Sequence, residues 1–106
     1  MYRYYYATTD CISNTWSTKD IEMYLLNRGD FAYGGMGAFK HNMIFLPVQL
    51  MLVKDYDSWS SNDYNNKETN YISIVTSYVL KPVAEQFIHD FEKFIGKRIV
   101  EETTLG

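Results

Sequence analysis

Two segments with clear helix start and stop signals divide this chain and limit the folds open to it. The first, "STKDIEMYLLNRG", offers Ser17 and Thr18 as N-caps and ends at Gly29, a residue type that commonly ends helices. The second, "KPVAEQFIHDFEKFIGK", places Pro82 at a first helical position and ends at Gly96. Each segment therefore predicts one helix, and the first spans about three turns.

Both segments carry apolar side chains at helical spacing, which predicts the stripe that each helix turns toward the core. His89 follows Glu85 by four residues and precedes Lys93 by four, so we expect it on a solvated helix face. The predicted stripes are Ile21, Leu25 and Arg28 in the first helix, and Val83, Phe87, Phe91 and Phe94 in the second.

The segments around the helices have the patterns of strands. "YRYYYATT" consists of β-forming residues, and its alternation places Tyr2, Tyr4 and Tyr6 on one face. "MIFLPVQLMLV" is apolar on both alternating faces, as in a covered strand, and Pro47 should mark an edge, a bulge or a break. "YISIVTSYVL" predicts a third strand and "RIVEETT" a short edge strand, whereas the polar run "KDYDSWSSNDYNNKETN" predicts a loop.

The resulting order, β-α-β-β-α-β, predicts an α+β fold of the ferredoxin-like arrangement, with a four-stranded antiparallel sheet and both helices on one face. A chain of 106 residues has room for a single domain, residues 1–106, with one core. The strands are too apolar and aromatic for the second sheet face to meet water. We therefore expect a homodimer, with Tyr2, Tyr4 and Tyr6 at the interface, although another partner chain would also cover the face.

Composition and charge disfavour several classes of function. The net charge of -3 works against nucleic-acid binding, and no apolar run reaches the roughly 18 residues of a membrane span. Cys11 has no second thiol for a disulfide, and one cysteine with two histidines makes no plausible metal site. We therefore expect no metal and no cofactor. A cytoplasmic location is predicted, in the host cytoplasm if the protein is viral.

The glycine-rich stretch "GDFAYGGMGAFKHN", residues 29–42, matches neither phosphate-binding glycine motif, because its helix precedes the glycines instead of following them. It is either a hairpin-like or mobile connection, or a recognition loop in which exposed aromatic and basic side chains anchor a partner. In the second interpretation the "TTDCISNTWS" connection contributes to the same kind of site. The candidate binding residues are Phe31, Tyr33, Gly35, Gly37, Phe39, Lys40, His41, Asp10, Asn14 and Trp16.

Three functions fit these features. The first is non-enzymatic binding by a small dimeric inhibitor or sequestering protein, which captures a protein partner or a small ligand through the glycine-rich loop. The small size and the richness in Tyr, Asn, Lys and Ile are similar to those of accessory proteins of AT-rich phages, which implies such a role. The second is a small ferredoxin-like enzyme that transfers protons through His41 and Asp10. The third is a nucleic-acid-binding module with a local patch of Arg3, Arg28, Lys40, Lys97 and Arg98.

Overall fold

A computed structural model describes residues 1–9, 14–53 and 62–102 of the chain. The helices in this part are α1, Thr18–Arg28, and α2, Pro82–Ile95. The strands in this part are β1 Tyr2–Thr8, β2 Trp16–Ser17, β3 Phe31–Gly35, β4 Ala38–His41, β5 Pro47–Val53, β6 Asn62–Asp63, β7 Glu68–Thr69, β8 Tyr71–Ser77 and β9 Val100–Glu101.

The main sheet has the strand order β3-β4-β5-β8-β1-β9, with neighbouring strands antiparallel. β6 pairs with the end of β5, and β2 pairs with β7 in a separate two-stranded sheet. The α+β class is therefore confirmed. The prediction of four strands is wrong, because the glycine-rich stretch forms the β3–β4 hairpin and widens the sheet beyond β5.

Both helices begin and end where their sequence signals predict. The Ser17 hydroxyl accepts a hydrogen bond from the Asp20 backbone N–H at the start of α1, and Gly29 ends the helix in the left-handed region at φ +84°. Pro82 is the first residue of α2, and Gly96 ends that helix at φ +69°. These local signals confirm both predicted helices.

The core lies between the two helices and one face of the main sheet. Strand residues of one alternation, such as Leu50 and Ile74, are fully buried against α1 and α2. The predicted stripe of α2 is only half right, because Phe87 and Phe91 are buried but Val83 and Phe94 are 49% and 43% exposed. Ala84 and Ile95 take the remaining inward positions of that helix.

The second predicted strand begins later than its apolar sequence suggests. Residues 42–46 form a bent segment, and β5 starts at Pro47, where the missing N–H removes no interior ladder bond. Leu46 is buried and Ile44 packs against the core, so the apolar run correctly predicted that these residues are covered. The run did not predict that the chain bends before the strand begins.

Candidate functional site

The face of the sheet turned away from the helices carries a row of tyrosines. Seven consecutive antiparallel pairs join β1 to β8, so alternate side chains of both strands lie on a common face. Tyr2 and Tyr4 are 51% and 47% exposed on that face. We name Tyr2, Tyr4, Tyr6, Tyr71 and Val75 the tyrosine face. The prediction that the first three share one face is confirmed.

Aromatic contacts order the two ends of this face. Tyr6 and Tyr71 stack with ring centroids 5.8 Å apart and planes 5° apart. Tyr2 stacks on Phe45, whose ring lies 4.9 Å away and which is itself 47% exposed. Serine residues oppose Tyr6 and Tyr2 across the strand pair and are too short to cover their rings. The rings are thus held in place while much of their surface faces outward.

Charged side chains are sparse on the strands of this face. Side chains alternate between the two faces of a strand, and the β1–β8 and β5–β8 registers show which of them lie on the face turned away from the helices. Among these strand residues of the described chain, Lys40 carries the only charge, and the others are uncharged. Besides the tyrosine face they are Thr8, Ala32, Ala38, Lys40, Pro47, Gln49, Met51, Val53, Ser73, Ser77 and Val100.

The size of the face limits what it can bind tightly. Six strands spaced about 4.8 Å apart, each of at most seven residues rising about 3.4 Å, span roughly 24 Å by 24 Å. The footprint of about 600 Å² is below the roughly 800 Å² per partner of a standard interface. A partner on this face is therefore expected to bind weakly or reversibly.

The glycine-rich stretch is a hairpin whose aromatic residues point mostly inward. Phe31 and Phe39 are 4% and 2% exposed, so the expectation that they offer contact area to a partner does not hold. Tyr33 is exposed, but on the helix side of the hairpin, whereas Lys40 lies on the opposite side. The turn uses positive φ at Gly35 and Gly37, as the connector interpretation requires.

His41 is buried, and both of its ring nitrogens have partners. Nδ1 accepts hydrogen bonds from the backbone N–H groups of Met43 at 3.0 Å and Ile44 at 3.3 Å. Nε2 lies 3.3 Å from a carboxylate oxygen of Asp30, so the ring proton is on Nε2. Only 4% of the side chain is exposed, and the expectation of an exposed polar anchor fails for this residue.

The proposed proton-transfer pair of the enzyme alternative is not supported by this geometry. A general base needs a free lone pair within reach of a substrate proton, and both His41 nitrogens are occupied inside the protein. Asp10, the other member of that pair, lies outside the described residues.

Asp30 connects His41 to the end of α1 and, through Arg28, to α2. Arg28 donates two hydrogen bonds of 3.1 Å to this carboxylate and lies 3.8 Å from the carboxylate of Asp90 on α2. Burial raises the pKa of Asp30, but the hydrogen bonds and charge of Arg28 outweigh burial and hold that pKa below its ordinary value. Asp30 is therefore a charged structural link between α1, α2 and β4.

Replacing Asp30 with Asn is expected to lower the free energy of unfolding by about 1 kcal/mol at pH 7. Because the folded pKa lies below the ordinary value of 3.8, the ionised carboxylate stabilises the fold above that value. This contribution is lost as the pH falls through the folded pKa, so the difference between the wild type and the variant should shrink as the pH is lowered below 3.8. Urea denaturation at pH 7 and at a series of pH values below 3.8 measures it, and a difference that stays constant over that series would contradict the electrostatic origin.

The basic patch of the nucleic-acid alternative is partly neutralised. Arg3 donates two hydrogen bonds to Glu101, at 3.0 and 2.8 Å, and those bonds lower the pKa of the Glu101 carboxyl. Arg28 is held by Asp30, as described above. Two of the five proposed phosphate contacts therefore already have carboxylate partners.

The remaining predicted site residues lie in and beside the small second sheet. The Trp16 indole N–H donates to the backbone carbonyl of Ile95 at 2.8 Å, which satisfies an acceptor at the end of α2. Asn14 is exposed just before β2. Since Trp16 is paired into the β2–β7 sheet and the hairpin belongs to the main sheet, the two predicted halves of the recognition site sit on different sheets.

Other surfaces of the described residues offer little for chemistry. A groove of about 530 Å³ between α1 and α2 has a partly apolar lining of Met23, Tyr24 and Phe94, with Asp20, Asn27 and Arg28 around them. No group of three or more His, Cys, Asp or Glu residues that could hold a metal ion occurs within the described ranges. The tyrosine face is therefore the surface that most needs a functional explanation.

Sequence reasoning missed three contributors to this face: Phe45, Tyr71 and Val75. Period-2 alternation within β8 could have placed Tyr71 and Val75 on one face, but only the register shows which strand they join. Phe45 gave no signal, because its contact with Tyr2 depends on the bend before β5.

Comparisons with family models, with curated proteins and with solved structures give no match to this chain. None of the helices described here has the length and apolar character needed to cross a membrane. The function must therefore be argued from the geometry of the site.

Proposed function

We propose that this protein is a non-enzymatic binding protein that forms a homodimer through the tyrosine face. Its action is then inhibition or sequestration of another molecule by binding, not turnover of a substrate. The fold suits this role as a ferredoxin-like core, β1-α1-β5-β8-α2-β9, widened by one hairpin. Such a core places both helices on one side and leaves the other sheet face available.

One observation carries the proposal: tyrosine and phenylalanine rings occupy a sheet face that neither helix covers. Tyr2 and Phe45 stack and are about half exposed, and the stacked pair of Tyr6 and Tyr71 is partly exposed. Tyrosine supplies a large contact area at low entropic cost and is enriched at protein interfaces. Stacking platforms for nucleic acid also use aromatic rings, but they combine them with basic side chains, and the strand residues here offer only Lys40.

A second copy of the chain fits this face better than a charged partner. Two faces with few charges meet without like-charge repulsion, and serine and threonine hydroxyls between the rings can hydrogen-bond across the contact. The footprint of about 600 Å² predicts a weak dimer, with a dissociation constant on the order of micromolar.

Sedimentation equilibrium at tens of micromolar tests the proposal, and we expect a mass approaching twice 12.5 kDa. Tyr4→Asp should give a monomer, because the new carboxylate would be desolvated at the interface, while the melting temperature changes by only a few degrees. Leu26→Asp is a matched control: Leu26 on α1 and Tyr4 are both 47% exposed, so this variant should remain dimeric. A wild-type monomer at this concentration, or an unaffected Tyr4→Asp dimer, would refute the proposal.

A further inference from the structure

We propose that His41 makes dimerisation pH-dependent, because protonation of its Nδ1 loosens the bend at residues 43–45 and weakens the contact through the tyrosine face. This inference rests on the proposed function. It assigns a regulatory role to a buried histidine that lies beside the face and not on it.

The Nδ1 atom of His41 is the acceptor that holds the segment 42–46 in its bend. It accepts from the backbone N–H groups two and three positions later in the chain, at Met43 and Ile44. Short polar side chains commonly organise turns with the same pattern of acceptor and backbone donors. An imidazolium has donors at both nitrogens and no acceptor, so both hydrogen bonds require the neutral ring.

The charges around His41 determine which part moves on protonation. Asp30, at the start of β3, faces Nε2 and attracts an imidazolium; Arg28 from α1 partly offsets that carboxylate. Asp90 of α2 lies near Arg28 and adds negative charge to the group, whereas Lys40 points to the other side of β4. The ring is therefore kept in place beside Asp30 when charged, and the two N–H donors must withdraw from the new Nδ1–H.

A shift of the Met43 and Ile44 N–H groups affects the tyrosine face because Phe45, the next residue, contacts that face. Ile44 packs against the core, Leu46 is buried, and the Asn42 N–H donates to the Asp30 carbonyl at 2.9 Å. These contacts hold both ends of the segment, and the His41 ring holds its middle. Phe45 projects from between Ile44 and Leu46 and stacks on Tyr2. Loss of the Nδ1 hydrogen bonds removes two of the contacts that shape the bend directly before Phe45, and the ring that covers one end of the face loses its fixed position.

The dissociation constant of the dimer, measured by sedimentation from pH 8 to about pH 5.5, tests the inference. We expect the wild-type constant to rise about tenfold toward the acidic end. His41→Asn should show the same dissociation constant across this range, because its side-chain oxygen can accept the same backbone N–H groups and does not change its charge with pH. His89→Asn removes the other histidine, which is exposed on α2, and should behave like the wild type.

An NMR titration of the wild type provides a readout that needs no variant. The amide resonances of Met43 and Ile44 should shift together with the His41 ring signals, and their hydrogen exchange should accelerate at low pH. A dimer whose affinity is the same at both ends of the range, or Met43 and Ile44 amides that stay protected at the acidic end, would overturn this inference and leave the proposed function intact. Absence of a dimer at every pH would instead overturn the proposed function, and this inference with it.

Discussion

Phe87→Ala is expected to lower the free energy of unfolding by about 3–5 kcal/mol, the usual cost of deleting a buried aromatic ring. The Phe87 ring is fully buried, with the rings of Phe31 at 4.7 Å and Phe91 at 5.1 Å, and the Arg28 guanidinium lies 5.1 Å from its centroid. It therefore joins α2 to the hairpin and to the end of α1. Urea denaturation at pH 7 measures the loss, which is a large share of the stability of a small domain.

Phe94→Ala on the same helix is the control for this prediction. Phe94 is 43% exposed and stacks on Tyr24 with centroids 4.1 Å apart, so its removal leaves no closed cavity and should cost about 1 kcal/mol. The sequence alone treats both residues as members of one apolar stripe. Equal losses for the two variants would support that stripe and contradict the observed orientation of α2.

The helices were predictable because their signals are local. An N-cap hydroxyl, a proline at the first position and a glycine in the left-handed region each act within a few residues of the helix end. Ser17, Gly29, Pro82 and Gly96 all act in this way. The alternation of β1 and β8 was equally readable, since a strand with one covered face shows it directly in the sequence.

The β3–β4 hairpin was harder to predict because β3 ends in two glycines, which have low β-propensity. Its strand conformation depends on pairing with β4 and on the burial of Phe31 against Phe87. One signal was present in the sequence: Phe31 and Tyr33 before the turn, and Phe39 and His41 after it, each repeat at period 2. That repeat predicts two paired strands and an inward-facing histidine.

In the candidate site too, the features set by local sequence could be predicted, and those that depend on contacts between distant segments could not. Tyr2, Tyr4 and Tyr6 were assigned to one face because a single strand fixes their direction. The contact of Phe45 with Tyr2 and the stack of Tyr71 on Tyr6 join residues more than 40 positions apart, and no local pattern encodes such pairs. Asp10, part of the predicted recognition site, lies outside the described residues.

Gly37→Ala is expected to lower the free energy of unfolding by about 2–4 kcal/mol, through backbone strain and a steric clash acting together. Gly37 has φ +78°, and an added Cβ would lie 2.6 Å from Cδ1 of Tyr64 and 2.9 Å from the Leu50 carbonyl oxygen. The Leu50 N–H donates to the Gly37 carbonyl at 3.0 Å, so the turn and β5 cannot separate without losing that hydrogen bond. Urea denaturation of the variant and the wild type gives the difference.

Gly35→Ala separates the two causes, because Gly35 has a similar φ of +94° but an added Cβ there meets no atom within 4 Å. Only the backbone strain applies, and we expect a loss of about 1–2 kcal/mol. If both variants lose the same free energy, the contact of Tyr64 with Gly37 contributes nothing and the glycines serve only the turn. A larger loss at Gly37 means that close packing against Tyr64 and Leu50 requires a glycine at this position. In that case no approach of a bound ligand to the backbone is needed to explain the glycine.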